Sequence, residues 1–228
     1  MDEHIFTEKE LVIHQLFLKA YIVKSPSLFY GKMGIALTLF DYARRTSNTL
    51  FSDLGDELID GILDDVDSKT GFDFATGLAG IAWGIEYLVQ QKHVECDTNQ
   101  VCAEIDRRME KMSIHRLNDL SLETGLEGLL HYVLIRIKGS LEQNGTVPFS
   151  TDFLSDMQMT ITHLLESDLS DPLRNLSEVF CGFMCKGKVE NYIPTIYSFI
   201  TTNPVLLEDV EKAPLGLRRG LAGWLHSN

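Results

Sequence analysis

A Gly-x-x-Gly step opening an apolar stretch recurs along this chain, and the recurrence restricts the fold more than any other feature. It stands in YGKMGIALTLFDYAR at 30–44, TGLAGIAWGIEYLVQ at 76–90, TGLEGLLHYVLIRI at 124–137 and RGLAGWLH at 219–226. The first glycines, Gly31, Gly77, Gly125 and Gly220, lie 46, 48 and 95 residues apart. A period in this range marks stacked supersecondary units. The last interval spans about two units, so a degenerate copy is expected between them, with LRNLSEVFCGFMCKGK at 173–188 as the candidate.

Segments of a second kind separate the motifs. SDLGDELIDGILDDV at 52–66 places Leu54, Leu58, Ile62 and Val66 on one stripe and acids opposite. NQVCAEIDRRMEKM at 99–112 is read the same way through Val101, Ile105, Met109 and Met112. TDFLSDMQMTITHLLE at 151–166 follows with Phe153, Leu154, Met157, Ile161 and Leu164. These are amphipathic helices with one wet face, whereas the motif helices are apolar around most of their circumference. No segment alternates with period two long enough to predict a sheet. Turn signals at Ser25-Pro26, Asp67 to Gly71, Asn144 to Pro148, Asp171-Pro172, Asn203-Pro204 and Pro214 fall mostly between helices. Pro194 is expected to kink or start a helix within 189–200.

The chain is therefore expected to be all-α: helical hairpins set in a ring, apolar helices inside and amphipathic ones outside. With no Gly-, Ser- or Pro-rich linker, residues 1–228 read as a single domain. Glycine costs a helix interior roughly 1 kcal/mol against alanine. Close approach of neighbouring inner helices, which a side chain would block, is the expected compensation.

These motifs resemble the LanC-like family, the lanthionine synthetase C-like cyclases, most sharply in GLAGIAWGIEYL at 77–88 and GLRRGLAGWLH at 216–226. The resemblance implies an α/α toroid of helical hairpins acting on peptides. In active cyclases it also implies zinc held by two cysteines and a histidine, activating a peptide cysteine for addition to a dehydrated serine or threonine. The family's last two ligands lie in a Cys-His-Gly step leading into Leu-Ala-Gly. Here Arg218 and Arg219 occupy those two positions. Guanidinium groups donate no lone pair and repel a dication, so neither metal nor cofactor is expected.

Other residues do not rebuild the site. Cys181 and Cys185, four apart in an apolar segment, read as buried small hydrophobes, and Cys96 and Cys102 are not expected to pair. His131 and His226 each follow a Gly-x-x-Gly by three residues, inside helices. His131 reads as a satisfied core or lining residue, and His4, His14, His93, His115 and His163 have no helpful neighbours. The chain is short for the family, with space for about five hairpins, so the ring is expected to be incomplete relative to the full one, either closing with fewer hairpins or remaining an open arc. An open apolar flank would then favour a homo-oligomer.

Loops before the inner helices are expected to converge at one mouth, where helix N-termini favour negative groups. Tyr30, Lys32, Thr76, Glu123, Thr124, Arg218 and Arg219 line or flank it on this reading. The arginines either clamp an anionic group or pair with Glu208, Asp209 and Glu211. Trp83 reads as core. The function expected is binding or accessory work in lanthipeptide-type modification without zinc, with a peptide substrate or partner protein. The alternative is a hydrolase of glycosidase type using Glu123 with Glu127, or Asp73, as acid and base; a scaffold without ligand is a third reading. The net charge of −13 argues against nucleic acid. It suits solubility or a basic peptide. No run reaches the ~20 apolar residues of a membrane span. The acidic start lacks a secretory signal's pattern, and four cysteines form no recognisable framework, so a cytoplasmic protein is expected.

Overall fold

The computed structural model describes residues 7–66, 69–200 and 210–227. The described residues are helical, with no strand among them, as the patterning predicts. The chain separates into two compact units, Met1–Thr70 with Thr195–Asn228, and Gly71–Pro194. Among the described residues no helix is long and apolar enough to cross a membrane.

The first unit contains α1 (Glu8–Lys19), α2 (Lys32–Thr46), α3 (Thr49–Asp65) and α10 (Leu221–Ser227). Thr7 and Glu10 form a capping box at the start of α1. Ser47, in the left-handed region at φ 55°, turns α2 back into α3, whose first turn Asn48 caps. Val12 and Leu16 of α1, Ile35 and Leu39 of α2, Leu54 and Leu58 of α3, and Leu221 and Leu225 of α10 share one core.

The second unit contains α4 (Leu78–Gln90), α5 (Thr98–Val101), α6 (Ala103–Met109), α7 (Leu126–Asn144), α8 (Thr151–Leu165) and α9 (Asp171–Lys186). Every residue of α4 from Leu78 to Leu88 is buried, the mark of an inner helix. α8 buries only Phe153, Leu154, Met157 and Ile161. The expected stripe over 99–112 is not what forms: the segment breaks into α5 and α6, and Val101 is exposed while Cys102, Asp106 and Met109 are buried. Asp106 shares the buried face of α6 with Met109, held there by an ion pair described below. The degenerate unit at 173–188 is α9, but with one buried face, of Leu173, Leu176, Phe180 and Phe183, rather than burial all round. Cys181 is partly buried and Cys185 exposed, so the expectation that both are core residues is overturned. They lie beside the apolar face rather than on it. Pro194 precedes a short 3-10 turn, Ile196–Phe199, capped by Thr195.

All four motif helices begin directly after the first glycine, and the same loop precedes each. The N–H of the first helical residue donates to a carbonyl seven positions back: Lys32 to Ser25 (2.8 Å), Leu78 to Gly71 (2.9 Å), Leu126 to Asp119 (3.0 Å) and Leu221 to Pro214 (2.8 Å). A Cβ on Gly31, Gly77, Gly125 or Gly220 would come under 3.0 Å from this loop's own backbone. At the second glycine the loop carbonyls of Leu28, Leu122 and Leu217 rest where a Cβ of Gly34, Gly128 or Gly223 would stand. The loop folded over each helix start thus accounts for the first glycine of all four motifs and the second of three, where the expectation was crowding between inner helices. A neighbouring loop adds to it: Leu217 crowds Gly34, and Phe74 crowds Gly128.

Gly182 in α9 is the contrast, because a Cβ there meets nothing within 4 Å. Gly128→Ala is expected to destabilise by about 1–3 kcal/mol through overpacking. Gly182→Ala should instead stabilise by up to about 1 kcal/mol through helix propensity. Urea melts of the two variants check the opposite signs.

Candidate functional site

The repeated loops bring the residues of interest together in pairs. In the second unit the N–H groups of Phe74 and Ala75 donate to the Glu123 carbonyl at 3.0 and 2.9 Å. In the first unit the Arg218 N–H donates to the Phe29 carbonyl at 2.9 Å. Counted from the loop's first residue, Phe29, Ala75, Glu123 and Arg218 hold one equivalent position. Tyr30, Thr76, Thr124 and Arg219 hold the next, immediately before the glycine.

Thr76 and Thr124 tie their own loops. The Thr76 N–H and hydroxyl donate to Asp73 at 2.6 and 2.9 Å. The Thr124 hydroxyl donates to the Asp119 carboxylate, and the Ser121 N–H adds a bond of 2.8 Å. Those bonds hold the Asp119 carboxyl below its ordinary range. Asp73 is therefore committed to loop geometry. Glu123 and Glu127 are both partly buried, one in the loop and one in the first turn of α7.

In the first unit the Arg218 guanidinium lies over the Phe29 ring at 5.2 Å, a cation–π arrangement. Tyr30 is exposed, its ring set edge-on to Phe29. Arg219 is exposed and holds a left-handed backbone at φ 57°. Lys32, expected at the mouth, turns to α3 and pairs with Asp65 at 2.6 Å. Glu208 and Asp209, considered above as partners of the arginines, lie outside the described residues.

Behind the second unit's loops lies a buried polar cluster that the sequence reading missed. Arg136 of α7, with a side chain fully out of solvent, donates from Nη1 to Glu86 Oε1 of α4 at 2.5 Å. Its Nη2 donates to Asp106 Oδ2 of α6 at 2.7 Å. Nη2 also reaches Asn99 at 3.0 Å, and the Tyr132 hydroxyl donates to Asp106. A Cβ on Gly139 would come under 3.0 Å from the Glu86 carboxylate, so this glycine makes room for a buried charge. Burial raises the Glu86 pKa, against the opposing pull of Arg136. The only advance signal was a charged residue in the middle of each apolar helix.

Trp83 is buried, as expected, and its indole N–H donates to the Tyr192 hydroxyl at 3.0 Å. That hydroxyl meets His131 Nδ1 at 3.1 Å, and the imidazole stacks on Phe74. Burial lowers the His131 pKa to about 4. His131 is thus a neutral lining residue, as its position in the helix predicted.

A family model for lanthionine synthetase C-like proteins matches residues 22–183, which include the first three motif loops. The chain belongs to this family. No curated protein and no solved structure matches it. The family's α/α toroid is built of helical hairpins, and the LanC-like chain's all-helical units, with α2 turning directly into α3, agree with that construction. The matched span ends before the fourth loop, whose equivalence rests on its seven-residue hydrogen bond and its glycine contacts. The two residues that the resemblance sets at the family's metal positions, Arg218 and Arg219, offer a zinc ion no lone pair. One guanidinium is stacked on a ring and its neighbour is a second cation. Among the described residues no three His, Cys, Asp or Glu side chains are grouped to hold a metal.

Proposed function

We propose that this LanC-like chain serves lanthipeptide-type peptide modification as a peptide-binding or accessory component that works without zinc. The observation that carries the reading is the arginine pair, Arg218 and Arg219, on a motif loop where the family pattern places metal ligands. Tyr30, Arg218 and Arg219 form the ligand-facing part of the first unit, and Thr76, Glu123 and Thr124 that of the second. Arg218 acts partly through its stacking on Phe29, so exposed Arg219 is the residue to reach an anionic group of a peptide. A soluble cytoplasmic setting, and self-association through an apolar flank, belong to the same proposal.

Purified protein is expected to contain no stoichiometric zinc by elemental analysis. Arg219→Asn, chosen because asparagine tolerates the left-handed backbone, should weaken binding of a fluorescein-labelled acidic peptide about five- to tenfold, roughly 1–1.4 kcal/mol. Its melting temperature should be unchanged. One zinc per chain, or equal affinity in the variant, would overturn the proposal.

A further inference from the structure

We propose that an open groove along α9 is a docking site for a peptide segment carrying a basic side chain. The inference rests on the peptide-partner reading above and names a second contact surface for that partner. Gly34, Gly55, Gly128, Gly139 and Gly223 each have a neighbouring atom that a Cβ would approach under 3.0 Å. Packing within the chain accounts for those five, and Gly61 of α3 meets only Lys32 Nζ, at 3.5 Å. Gly182 has no such neighbour within 4 Å, although it lies in the interior of a sixteen-residue helix. Its cost in helix propensity is not offset by anything in its own unit.

Gly182 lies on the floor of a groove of about 440 Å³. Asn175, Glu178, Val179 and Lys186 line the same groove, at helical spacings that put them on one face of α9. Asn191, at φ 62°, and Glu190 complete the lining. The chemistry of this lining is specific. Lys186 Nζ pairs with Glu190 Oε2 at 2.7 Å, so that cation is already matched. Glu178 makes no ion pair among the described residues and leaves the groove with an excess negative charge. Two carboxamides, Asn175 and Asn191, each offer a donor and an acceptor, the complement of a peptide unit. A missing Cβ at the floor admits a backbone at close range. Amide-matching groups, space for a main chain and one uncompensated carboxylate together describe a peptide with a lysine or arginine beside its docked segment.

The test uses a fluorescein-labelled heptapeptide of glycine and serine with one central lysine, and its uncharged glutamine counterpart. Anisotropy is read at about 0.3 M salt, where long-range attraction to the acidic protein is screened. The lysine peptide should bind the full chain more tightly than the glutamine peptide. Gly182→Leu, which fills the floor, should weaken it at least tenfold, and Glu178→Gln should erase the preference for lysine. Gly182→Ala, as stable as the parent or more so, should give a smaller loss and shows that the effect is not unfolding. Equal binding by Gly182→Leu and parent overturns the groove. So does a dimer in gel filtration that Gly182→Leu converts to monomer, since the face would then belong to a second copy. Loss of the acidic peptide on Arg219→Asn, with the lysine peptide unchanged on Gly182→Leu, removes the groove but leaves the motif-loop reading intact.

Discussion

Replacing Arg136 with methionine is expected to cost about 3–5 kcal/mol of folding stability, the range seen when one partner of a buried ion pair is removed. Nearly all of that cost comes from what the substitution leaves behind. Glu86 and Asp106 are both buried, and Arg136 is the cation that the two carboxylates share. Without it the Glu86 carboxylate keeps its desolvation penalty and loses the attraction opposing it. Equilibrium urea melts at pH 7 should show the midpoint falling by about 1–2 M, given slopes of about 2–3 kcal/mol per M.

Two companion variants keep the result interpretable. Arg136→Lys retains the charge but loses the fork that reaches both acids, and should fall between parent and Arg136→Met. The triple change Arg136→Met, Glu86→Gln, Asp106→Asn removes the stranded charges and should recover part of the loss. A triple variant no better than Arg136→Met would show that the arginine contributes through packing rather than charge. A shift under about 0.3 M in Arg136→Met, less than about 1 kcal/mol, would remove the cluster from any account of stability.

Much of this architecture can be read directly from the chain, and its legible and illegible parts differ in physical kind. Gly31, Gly77 and Gly125 are the N-caps of α2, α4 and α7, and α10 begins at the residue after Gly220. Those boundaries are legible because a local loop fixes them within seven residues. α3 and α8 follow their stripes for the same reason: each buries one face whose period lies in sequence. The segment 99–112 fails because Asp106 answers to Arg136, thirty residues away. The long-range ion pair draws Asp106 into the buried face of α6 beside Met109. The same limit hides the fifty-residue partnership of Glu86 with Arg136. At the candidate site, the family resemblance located the arginine pair. It did not reveal that Arg218 stacks on Phe29, or that Thr76 and Thr124 tie loops. Those roles depend on which loops lie side by side.

Acidification from pH 7 to 4.5 is expected to destabilise the protein, and His226 supplies the clearest term. The residue is 4% exposed on α10. Its Nε2 is buried with no hydrogen-bond partner among the described residues, and Nδ1 lies 3.9 Å from Asp41 Oδ2, beyond hydrogen-bond reach. Burial lowers its pKa to about 4, with Asp41 pulling up and Arg45 pulling down. An unfolded-state histidine titrates near 6.5. Between these values the unfolded chain binds more protons than the native one, so stability rises with pH across the window. The contribution is complete above about pH 6.5 and is lost as pH falls toward 4. It is on the order of 2–3 kcal/mol. His131, also lowered to about 4 by burial, adds a term of the same sign, reduced by its partial exposure. Glu86 acts oppositely: its raised pKa makes the native state the better proton binder above the ordinary carboxylate value, so its term favours acid. The net slope should therefore be smaller than the two histidines alone would give. Urea midpoints measured from pH 7.5 to 4.5 should decline for the parent, and His226→Gln should flatten the decline whatever its stability at pH 7. An unchanged slope in His226→Gln would mean that the native state takes up a proton at this imidazole as readily as the unfolded chain does.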